Sequence, residues 1–205
     1  MHHCTLLQQL VAVADTLRTE AAEAIKTALS AGVTVRMITG DHAETAYQIG
    51  KQLKMVSSRD QVFDCRNLDQ HNDEELTKIV QKTKVFARVI PEQKYRLLTI
   101  LKQNNITAMT GDGVNDVPAF TNAHIGIAMG SGSSIAKDAG DIILLDDNFK
   151  TIIDAMQEGR AIIANIKRML FYLLSTNAGE ILTMIGALLV GTKLPLEAVQ
   201  ILWVN

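Results

Sequence analysis

The 205-residue chain has nearly balanced charge, with 20 Lys and Arg residues against 22 Asp and Glu residues. This length suffices for one domain with a hydrophobic core, or for a domain with an appendage. The net charge of −2 argues against a nucleic-acid partner, because proteins that bind nucleic acids carry basic surfaces. The two cysteines, Cys4 and Cys65, match no metal-ligand spacing, and we expect reduced thiols of a cytosolic domain.

Residues 1–150 alternate apolar runs with segments of helical periodicity, which predicts an α/β fold with a parallel sheet and helices on both faces. The predicted helices are 19–31, 42–54, 73–82, 91–104 and 116–122. The predicted strands are 9–14, 33–38, 85–87, 106–109, 125–128 and 142–145. Ligands of such folds bind beyond the carboxyl ends of the strands.

Two turns rich in glycine and aspartate follow predicted strands. TGD (39–41) comes after the strand at 33–38, and TGDGVND (110–116) comes after the strand at 106–109. Glycine lets the backbone approach a ligand closely, and aspartate oxygens suit a hard cation such as Mg²⁺. Both turns are therefore expected at one rim of the sheet, beside a bound ligand.

Thr39 and Lys94 add a hydroxyl group, an N–H group and a positive charge to this rim. Together with paired aspartates around Mg²⁺, they form a constellation suited to phosphoryl transfer. Each piece alone has a simpler interpretation, because Thr-Gly-Asp is also a common turn and helix cap, and Lys94 is also a typical solvated helix lysine.

The C-terminal part differs in composition. Residues 169–190 are apolar except for Glu180, and the segment is long enough to cross a bilayer as a helix. Arg160, Lys167 and Arg168 precede it, which favours a cytoplasmic start. The predicted division is an incomplete α/β domain (1–150), a stalk helix (151–168), a transmembrane helix (169–190) and the start of a second transmembrane helix (195–205).

The long helix is expected to run almost without interruption from Phe149 to Val190, over about 60 Å at 1.5 Å per residue. Asn177 and Glu180 are three residues apart and therefore share one face of it. A carboxylate inside an apolar span is costly, and it marks a functional site by default. The alternative is a glutamate that only packs against other helices.

Four segments together resemble the phosphorylation domain of P-type cation-transporting ATPases, a branch of the haloacid-dehalogenase superfamily with a Rossmann-like sheet. They are MITGD (37–41), FARVIPEQK (86–94), TGDGVNDVPAF (110–120) and MGSGSSIAKDAGDIILLDDNF (129–149). GRAIIANIKRMLFYLLSTNAGE (159–180) and LPLEAVQILWVN (194–205) resemble the fifth and the start of the sixth membrane helix of the calcium-pump subgroup.

This resemblance implies an ATP-driven cation pump with Mg²⁺ and ATP as cofactors. Asp112 would be the main Mg²⁺ ligand, and Asp116 would assist it and organise the rim. Asn115 would hydrogen-bond the phosphoryl group or the attacking water, and Thr39 and Lys94 would stabilise the transferring phosphoryl group.

The resemblance also implies nucleotide and cation sites. Gly40, Asp41 and Arg88 would lie along the nucleotide, together with the phosphoryl-site residues. Asn177, Glu180 and Asn205 would bind the transported cation, expected to be Ca²⁺. The partners would be the lipid bilayer and the remainder of a multi-pass pump in the cell membrane, with the catalytic domain in the cytoplasm.

The phosphorylated aspartate of the resembled family lies in an Asp-Lys-Thr-Gly-Thr segment, which does not occur in these 205 residues. The chain is therefore expected to be a piece of a pump and inactive in isolation. Two alternatives stay open: a non-catalytic membrane subunit or half of a split pump, and a membrane-tailed phosphohydrolase of the haloacid-dehalogenase type.

Overall fold

The computed structural model describes residues 17–191. The α-helices of this part are α1 (Thr19–Ser30), α2 (Ala43–Gln52), α3 (Asp73–Lys82), α4 (Pro91–Lys102), α5 (Val117–Asn122), α6 (Ser134–Ala139) and α7 (Phe149–Val190). The strands are β1 (Met37–Ile38), β2 (Val62–Asp64), β3 (Val85–Ala87), β4 (Ala108–Gly111), β5 (Ile125–Met129) and β6 (Ile142–Leu144). Short 3₁₀ helices cover Arg59–Gln61, Cys65–Gln70 and Val114–Asp116. The predicted strand at 9–14 lies outside the described residues.

The strands form two parallel three-stranded sheets, in the orders β1-β3-β2 and β4-β5-β6. The predicted parallel α/β architecture is confirmed. Alternation of strands and helices predicts strand direction, but it does not specify which strands pair, and the division into two sheets was therefore not predicted.

All three residues of β3, the central strand of the first sheet, are buried. Phe86 packs into a cluster formed with α3 and α4, whereas Val85 and Ala87 pack into a cluster formed with α1 and α2. Successive side chains of a strand point to opposite faces, so helices cover both faces of this sheet.

Residues at the ends of the helices that pack on the first sheet explain where these helices begin and end. The Asn72 side chain accepts a hydrogen bond from the Glu75 N–H, and the Glu75 carboxylate accepts one from the Asn72 N–H, which forms a capping box at the start of α3. Pro91 occupies the first turn of α4, where its missing N–H has no cost. Gly32, at a φ of 77°, ends α1 in a Schellman motif, in which the Val33 N–H donates to Ala28 O at 2.9 Å.

The observed strand β1 is shorter than predicted, with two residues instead of six. Its neighbour β3 begins only at Val85, and Met37 already pairs with that residue. Residues 33–36 thus precede the start of the partner strand and have no ladder to join. In contrast, β4 runs two residues further than predicted, through Gly111, because β5 continues beside it to Met129.

The chain divides into two units, one ending at Ile153 and the other beginning at Asp154. Helix α7 has the bounds predicted for it, Phe149–Val190, and its 42 residues are long and apolar enough to cross a membrane by length and composition. It is the single such helix in residues 17–191. The predicted start of a second membrane helix, with Asn205, lies outside the described part of the chain.

Candidate functional site

The first part of the site is the acidic loop (residues 110–116), which leaves the carboxyl end of β4 and leads into α5. Its last residue, Asp116, is only 6% exposed. The Asp116 N–H donates to Gly113 O at 3.1 Å, and the Asp116 carboxylate accepts the Gly113 N–H at 3.4 Å. The loop is therefore closed on itself, with one carboxylate inside it.

Lys94 supplies the charge that the buried carboxylate of Asp116 needs. Its ammonium group, in the first turn of α4, lies 2.7 Å from Asp116 Oδ1. The two side chains are 21% and 9% exposed, respectively. A carboxylate this deeply buried is stable only when a charge or hydrogen bonds compensate it, and the pair fixes α4 to the acidic loop.

Gly111 allows Asp116 to fold back into the loop. A β-carbon at Gly111 would lie 2.5 Å from Asp116 Oδ2 and 2.7 Å from Asp116 Cγ. No side chain fits in this space while the carboxylate occupies it. Packing against Asp116 therefore requires glycine at position 111. From the sequence, this glycine was expected to let a ligand approach the backbone.

Asp112 and Asn115 lie on the outside of the acidic loop, and both are exposed. The main chain of Asp112 is held in place, since Asp112 O accepts the Ser133 N–H at 2.9 Å. The Asp112 carboxylate makes no hydrogen bond or ion pair with any residue in the described range 17–191. Asp112 is thus an exposed carboxylate whose main chain is held by Ser133.

The second part of the site is the TGD turn (residues 39–41). The Thr39 hydroxyl donates to Asp41 Oδ2 at 2.8 Å, and it accepts the Asp41 N–H at 3.1 Å. The Thr39 N–H, which was expected to serve a phosphoryl oxygen, instead donates to Phe86 O at 2.9 Å as part of the pairing with β3. Only the hydroxyl group of Thr39 remains for a ligand, and it would first have to leave Asp41.

Arg88 lies beside the TGD turn. Its N–H donates to Asp41 O at 2.9 Å, and its φ of 54° is unusual for a residue with a side chain. The Arg88 guanidinium contacts His42 Nδ1, and Arg88 Nε lies 3.9 Å from Asp64 Oδ2. Arg88 Nε is buried without a hydrogen-bond partner in the described residues.

Asp64, at the end of β2, completes this group. Hydrogen bonds from Arg66 hold the pKa of the Asp64 carboxyl below its ordinary value, with a smaller contribution from the charge of Arg88. Neither Asp64 nor His42 was predicted as a site residue. Strand β2, which ends at Asp64, has only three residues and shows no periodicity, and His42 begins the predicted helix 42–54, where no role was expected for it. The polar end of the short apolar run Val62-Phe63 was the available signal.

The structure thus brings the predicted residues together in two groups. Lys94, Asp112, Asn115 and Asp116 gather at the acidic loop, and Thr39, Gly40, Asp41 and Arg88 gather at the TGD turn. Within residues 17–191, no hydrogen bond or ion pair joins the two groups.

The acidic loop fits Mg²⁺ through one carboxylate. Among the described residues, no three His, Cys, Asp or Glu side chains are grouped closely enough to form a metal site on their own. The sequence predicts Asp116 as a second ligand, but both of its oxygens have other partners. Mg²⁺ commonly binds through one or two carboxylates and takes its other ligands from water and substrate phosphates, and the Asp112 carboxylate suits that mode.

The predicted cation ligands lie on α7, in the second unit. Asn177 is exposed and Glu180 is partly buried. Glu180 Oε1 is inaccessible to solvent and has no hydrogen-bond partner in the described part of the chain. A carboxylate oxygen left without a donor is costly, which fits a group that binds a ligand from outside these residues.

Comparison with known proteins identifies the fold. Residues 3–124 match the family model described as haloacid dehalogenase-like hydrolase, and residues 95–156 match a second model of the same description. A solved structure titled as a zinc-transporting PIB-type ATPase in the E2.Pi state matches with a TM-score of 0.62 and 29% identity, over 87% of this chain and 24% of that one.

Two relatives cover almost all of this chain. It is 46% identical to the calcium-transporting ATPase of Bacillus subtilis over 96% of its length, and 42% identical to P-type sodium-transporting ATPase4 of Toxoplasma gondii over 98%. The chain spans 22% and 16% of these two proteins, respectively. These matches confirm the resemblance drawn from the motifs. The chain belongs to the haloacid dehalogenase-like hydrolase family, and its relatives within that family are cation-transporting ATPases.

Proposed function

We propose that this chain supplies the phosphoryl site and part of the cation path of an ATP-driven P-type cation pump. One observation carries the proposal. The free carboxylate of Asp112 and the carboxylate of Asp116, which lies 2.7 Å from the Lys94 ammonium group of α4, belong to the same loop at the carboxyl end of a parallel strand. A fixed acidic ligand beside a lysine suits a metal-bound phosphoryl group.

In this proposal Asp112 holds Mg²⁺, which neutralises charge on the phosphoryl oxygens. Lys94 stabilises the same oxygens from the other side of the loop, with Asp116 keeping its ammonium group in place. Asn115 is exposed on the rim and offers an amide to the phosphoryl group or to water. The Thr39 hydroxyl joins them after it leaves Asp41.

ATP binds along the TGD turn in the same proposal. Gly40 is exposed, and a β-carbon there would meet nothing within 4 Å, so the turn is open to a ligand. The Arg88 main-chain N–H donates to Asp41 O, and the Asp41 carboxylate accepts the Thr39 hydroxyl, so Arg88 lies beside the turn that is proposed to hold the nucleotide. The phosphorylated aspartate is absent from these 205 residues, and we propose that the remainder of the pump provides it.

The transported cation is proposed to be Ca²⁺, bound through Asn177, Glu180 and Asn205. Carboxylate and amide oxygens suit Ca²⁺, which accepts several oxygen ligands in flexible geometry. The name of the Bacillus subtilis relative supports the assignment, whereas the Toxoplasma gondii relative is named for sodium. The apolar part of α7 is proposed to cross the lipid bilayer, in a multi-pass protein of the cell membrane.

A chimera of this chain with one of its relatives tests the proposed phosphoryl site. This chain would replace the matching segment of the Bacillus subtilis ATPase, to which it is 46% identical over 198 residues. The measurement is acid-stable ³²P on the purified chimera after brief exposure to radiolabelled ATP and Mg²⁺. We expect labelling, and we expect Asp112→Asn to lower it by at least about tenfold, the usual effect of losing a metal-holding group.

Asp138→Asn is the matched control, because Asp138 is an exposed carboxylate on α6, outside both groups of site residues. Its labelling should equal that of the unmodified chimera. Equal labelling of Asp112→Asn and the unmodified chimera would remove Asp112 from the proposed role. A folded chimera without any labelling would refute the proposed function.

A further inference from the structure

We propose that Asp147 is a positioning residue for the Mg²⁺ ligand Asp112, acting through the glycine–serine loop (residues 130–133). The inference rests on the proposed function, since it concerns the same metal site. Asp147 lies 35 positions after Asp112 along the chain, between β6 and α7. It lies in the segment 129–149 that resembles the family, but no role was predicted for it.

Asp147 binds one end of the glycine–serine loop with its carboxylate. Its Oδ1 and Oδ2 accept the Ser131 N–H at 3.2 and 3.3 Å. Hydrogen bonds with the Ser131 side chain and N–H lower the pKa of Asp147 below its ordinary value, so the group is ionised at neutral pH. The φ of Asp147 is 51°, a conformation that asparagine, aspartate and glycine adopt more readily than other residues.

The same end of the loop is confined by the backbone around Asp147. The Gly130 N–H donates to Leu144 O at 2.8 Å. A β-carbon at Gly130 would lie 2.9 Å from that oxygen and 3.0 Å from Leu145 Cα. Lys137 Nζ donates to Gly130 O at 3.2 Å. The loop therefore lies directly on the segment that carries Asp147.

The other end of the loop lies on Asp112. The Ser133 N–H donates to Asp112 O at 2.9 Å. A β-carbon at Gly132 would lie 2.8 Å from the same oxygen and 3.1 Å from Asp112 Cα. Two glycines thus let a four-residue loop bridge the Asp147 segment and the main chain of Asp112.

The Asp112 side chain has no partner in the described residues, so only its backbone fixes the position from which the carboxylate extends. That backbone is held by the glycine–serine loop, and the loop is held by Asp147. Loss of the Asp147 carboxylate should therefore loosen Asp112 without touching it. A metal ligand tolerates little displacement, because groups that orient ligands affect metal affinity nearly as much as the ligands do.

The neighbouring Asp146 provides a matched control. Its carboxylate accepts the Asn148 N–H at 3.2 Å and the Thr151 hydroxyl, so it caps the first turn of α7, and among the described residues it makes no hydrogen bond to the glycine–serine loop. Asp146→Gly and Asp147→Gly each remove one negative charge from adjacent positions, but only the second removes the bond to Ser131.

The experiment titrates the full chain, in detergent micelles, with MgCl₂ alone and follows the amide NMR signals of Asp112 and Gly113. Asp147→Gly should keep its backbone conformation, since glycine adopts a positive φ without strain. We expect it to raise the Kd for Mg²⁺ at least about threefold, less than the roughly tenfold or greater loss from removing a direct orienting group. The Ser131 amide should exchange with solvent faster.

Asp147→Asn distinguishes the effect of the hydrogen bond to Ser131 from the effect of the negative charge. Asparagine is neutral but keeps one oxygen that can accept the Ser131 N–H. We expect its Kd to stay within about twofold of that of the unmodified chain, as for Asp146→Gly. If Asp147→Gly does not fold, Asp147→Ala replaces it with the same expected result, because alanine has no side-chain oxygen to accept the Ser131 N–H.

Each contrary result has a distinct meaning. An unchanged Kd for Asp147→Gly overturns the inference, as does an equal loss in Asp147→Asn or in Asp146→Gly, since either loss would be due to charge or to the start of α7. Absence of any Mg²⁺ response at Asp112 in the unmodified chain contradicts the proposed metal site itself.

Discussion

The ammonium group of Lys94 lies 2.7 Å from Oδ1 of Asp116, and this contact joins the first turn of α4 to the acidic loop. The two residues belong to separate motifs, and each was expected to face a ligand. The structure pairs them with each other, with Asp116 almost inaccessible to solvent. The Lys94 charge is therefore already at the site before a phosphoryl group arrives, which fits a preorganised electrostatic site.

Replacing Lys94 by Met should destabilise the first unit. The substitution leaves a buried carboxylate without its charge partner, and we expect the free energy of unfolding to fall by about 2–4 kcal/mol. Hydrogen exchange of the β3 amides measures it. Lys102→Met, in the last turn of the same helix, is the control and should change the value by less than about 0.5 kcal/mol. Equal values for both variants would contradict a structural role for the Lys94–Asp116 pair.

Gly111→Ala should also destabilise the chain, by about 1–3 kcal/mol, because its methyl group would lie 2.5 Å from Asp116 Oδ2 and would force the carboxylate away from Lys94. Gly159→Ala serves as the comparison, since a β-carbon at Gly159 in α7 meets nothing within 4 Å. That change should be neutral or slightly stabilising, as alanine favours the helix. Thermal unfolding measures the stability of both variants. If Gly111→Ala is as stable as the unmodified chain, the Asp116 side chain is free to move.

Gln93 precedes Lys94 and is only 6% exposed. Its Nε2 donates to Cys65 O at 3.0 Å and to Asp69 Oδ2 at 3.3 Å, and its Oε1 accepts the Ile90 N–H at 3.4 Å. Gln93→Leu should lower the free energy of unfolding by about 1–3 kcal/mol, because the carbonyl group of Cys65 loses its donor.

Gln81→Leu is the matched control for this prediction, since Gln81 is exposed at the end of α3. It should change the free energy of unfolding by less than about 0.5 kcal/mol. Urea unfolding of both variants gives the comparison. A loss at Gln93 no larger than the loss at Gln81 would mean that the amide hydrogen bonds add nothing to the fixation of α4.

Cys65 should be chemically inert in the folded chain. Burial, with the nearby charges of Asp64 and Asp69, raises the pKa of its thiol from 9.0 to about 12. Because the folded pKa lies above the unfolded one, the stabilising contribution of the protonated thiol is complete below about pH 9 and declines as the pH rises towards about 12.

The measurement for Cys65 is alkylation by iodoacetamide at pH 8 in a Cys4→Ser variant, with the urea-unfolded chain as the reference. We expect the folded chain to react at least about 100-fold more slowly, because the thiolate is the reacting form. Alkylation of the folded chain at the unfolded rate would place Cys65 at the surface.

Local signals predicted the helices well. The bounds of α3, Asp73–Lys82, and of α7, Phe149–Val190, were predicted correctly. The strand β2 and the helix α6 were missed, although β3 and α5, of the same lengths, were predicted. Periodicity alone does not identify elements this short. Ser133, whose hydroxyl accepts the Ala136 N–H, was the one signal for α6.

The candidate site was predictable as a set of residues but not as a set of contacts. Motif spacing selected Lys94, Asp112 and Asp116 because their chemistry suits a phosphoryl group. The spacing could not show that Asp116 forms an ion pair with Lys94, because this pair depends on how α4 packs against the acidic loop. The hydrogen bond from the Ser133 N–H to Asp112 O was not predictable either. Both partners are main-chain atoms, so no residue type in the sequence indicates this bond.

The most direct test of the account is ATP-dependent ⁴⁵Ca²⁺ uptake by membrane vesicles that contain the chimera of this chain and the Bacillus subtilis ATPase. We predict uptake by the chimera, loss of at least about tenfold in Glu180→Gln, as expected for a carboxylate ligand of a hard cation, and no change in Glu158→Gln, a matched glutamate on the same helix. Uptake by Glu180→Gln equal to that of the unmodified chimera, or phosphorylation of the chimera without any uptake of Ca²⁺, would contradict the claim that this chain forms part of a calcium path.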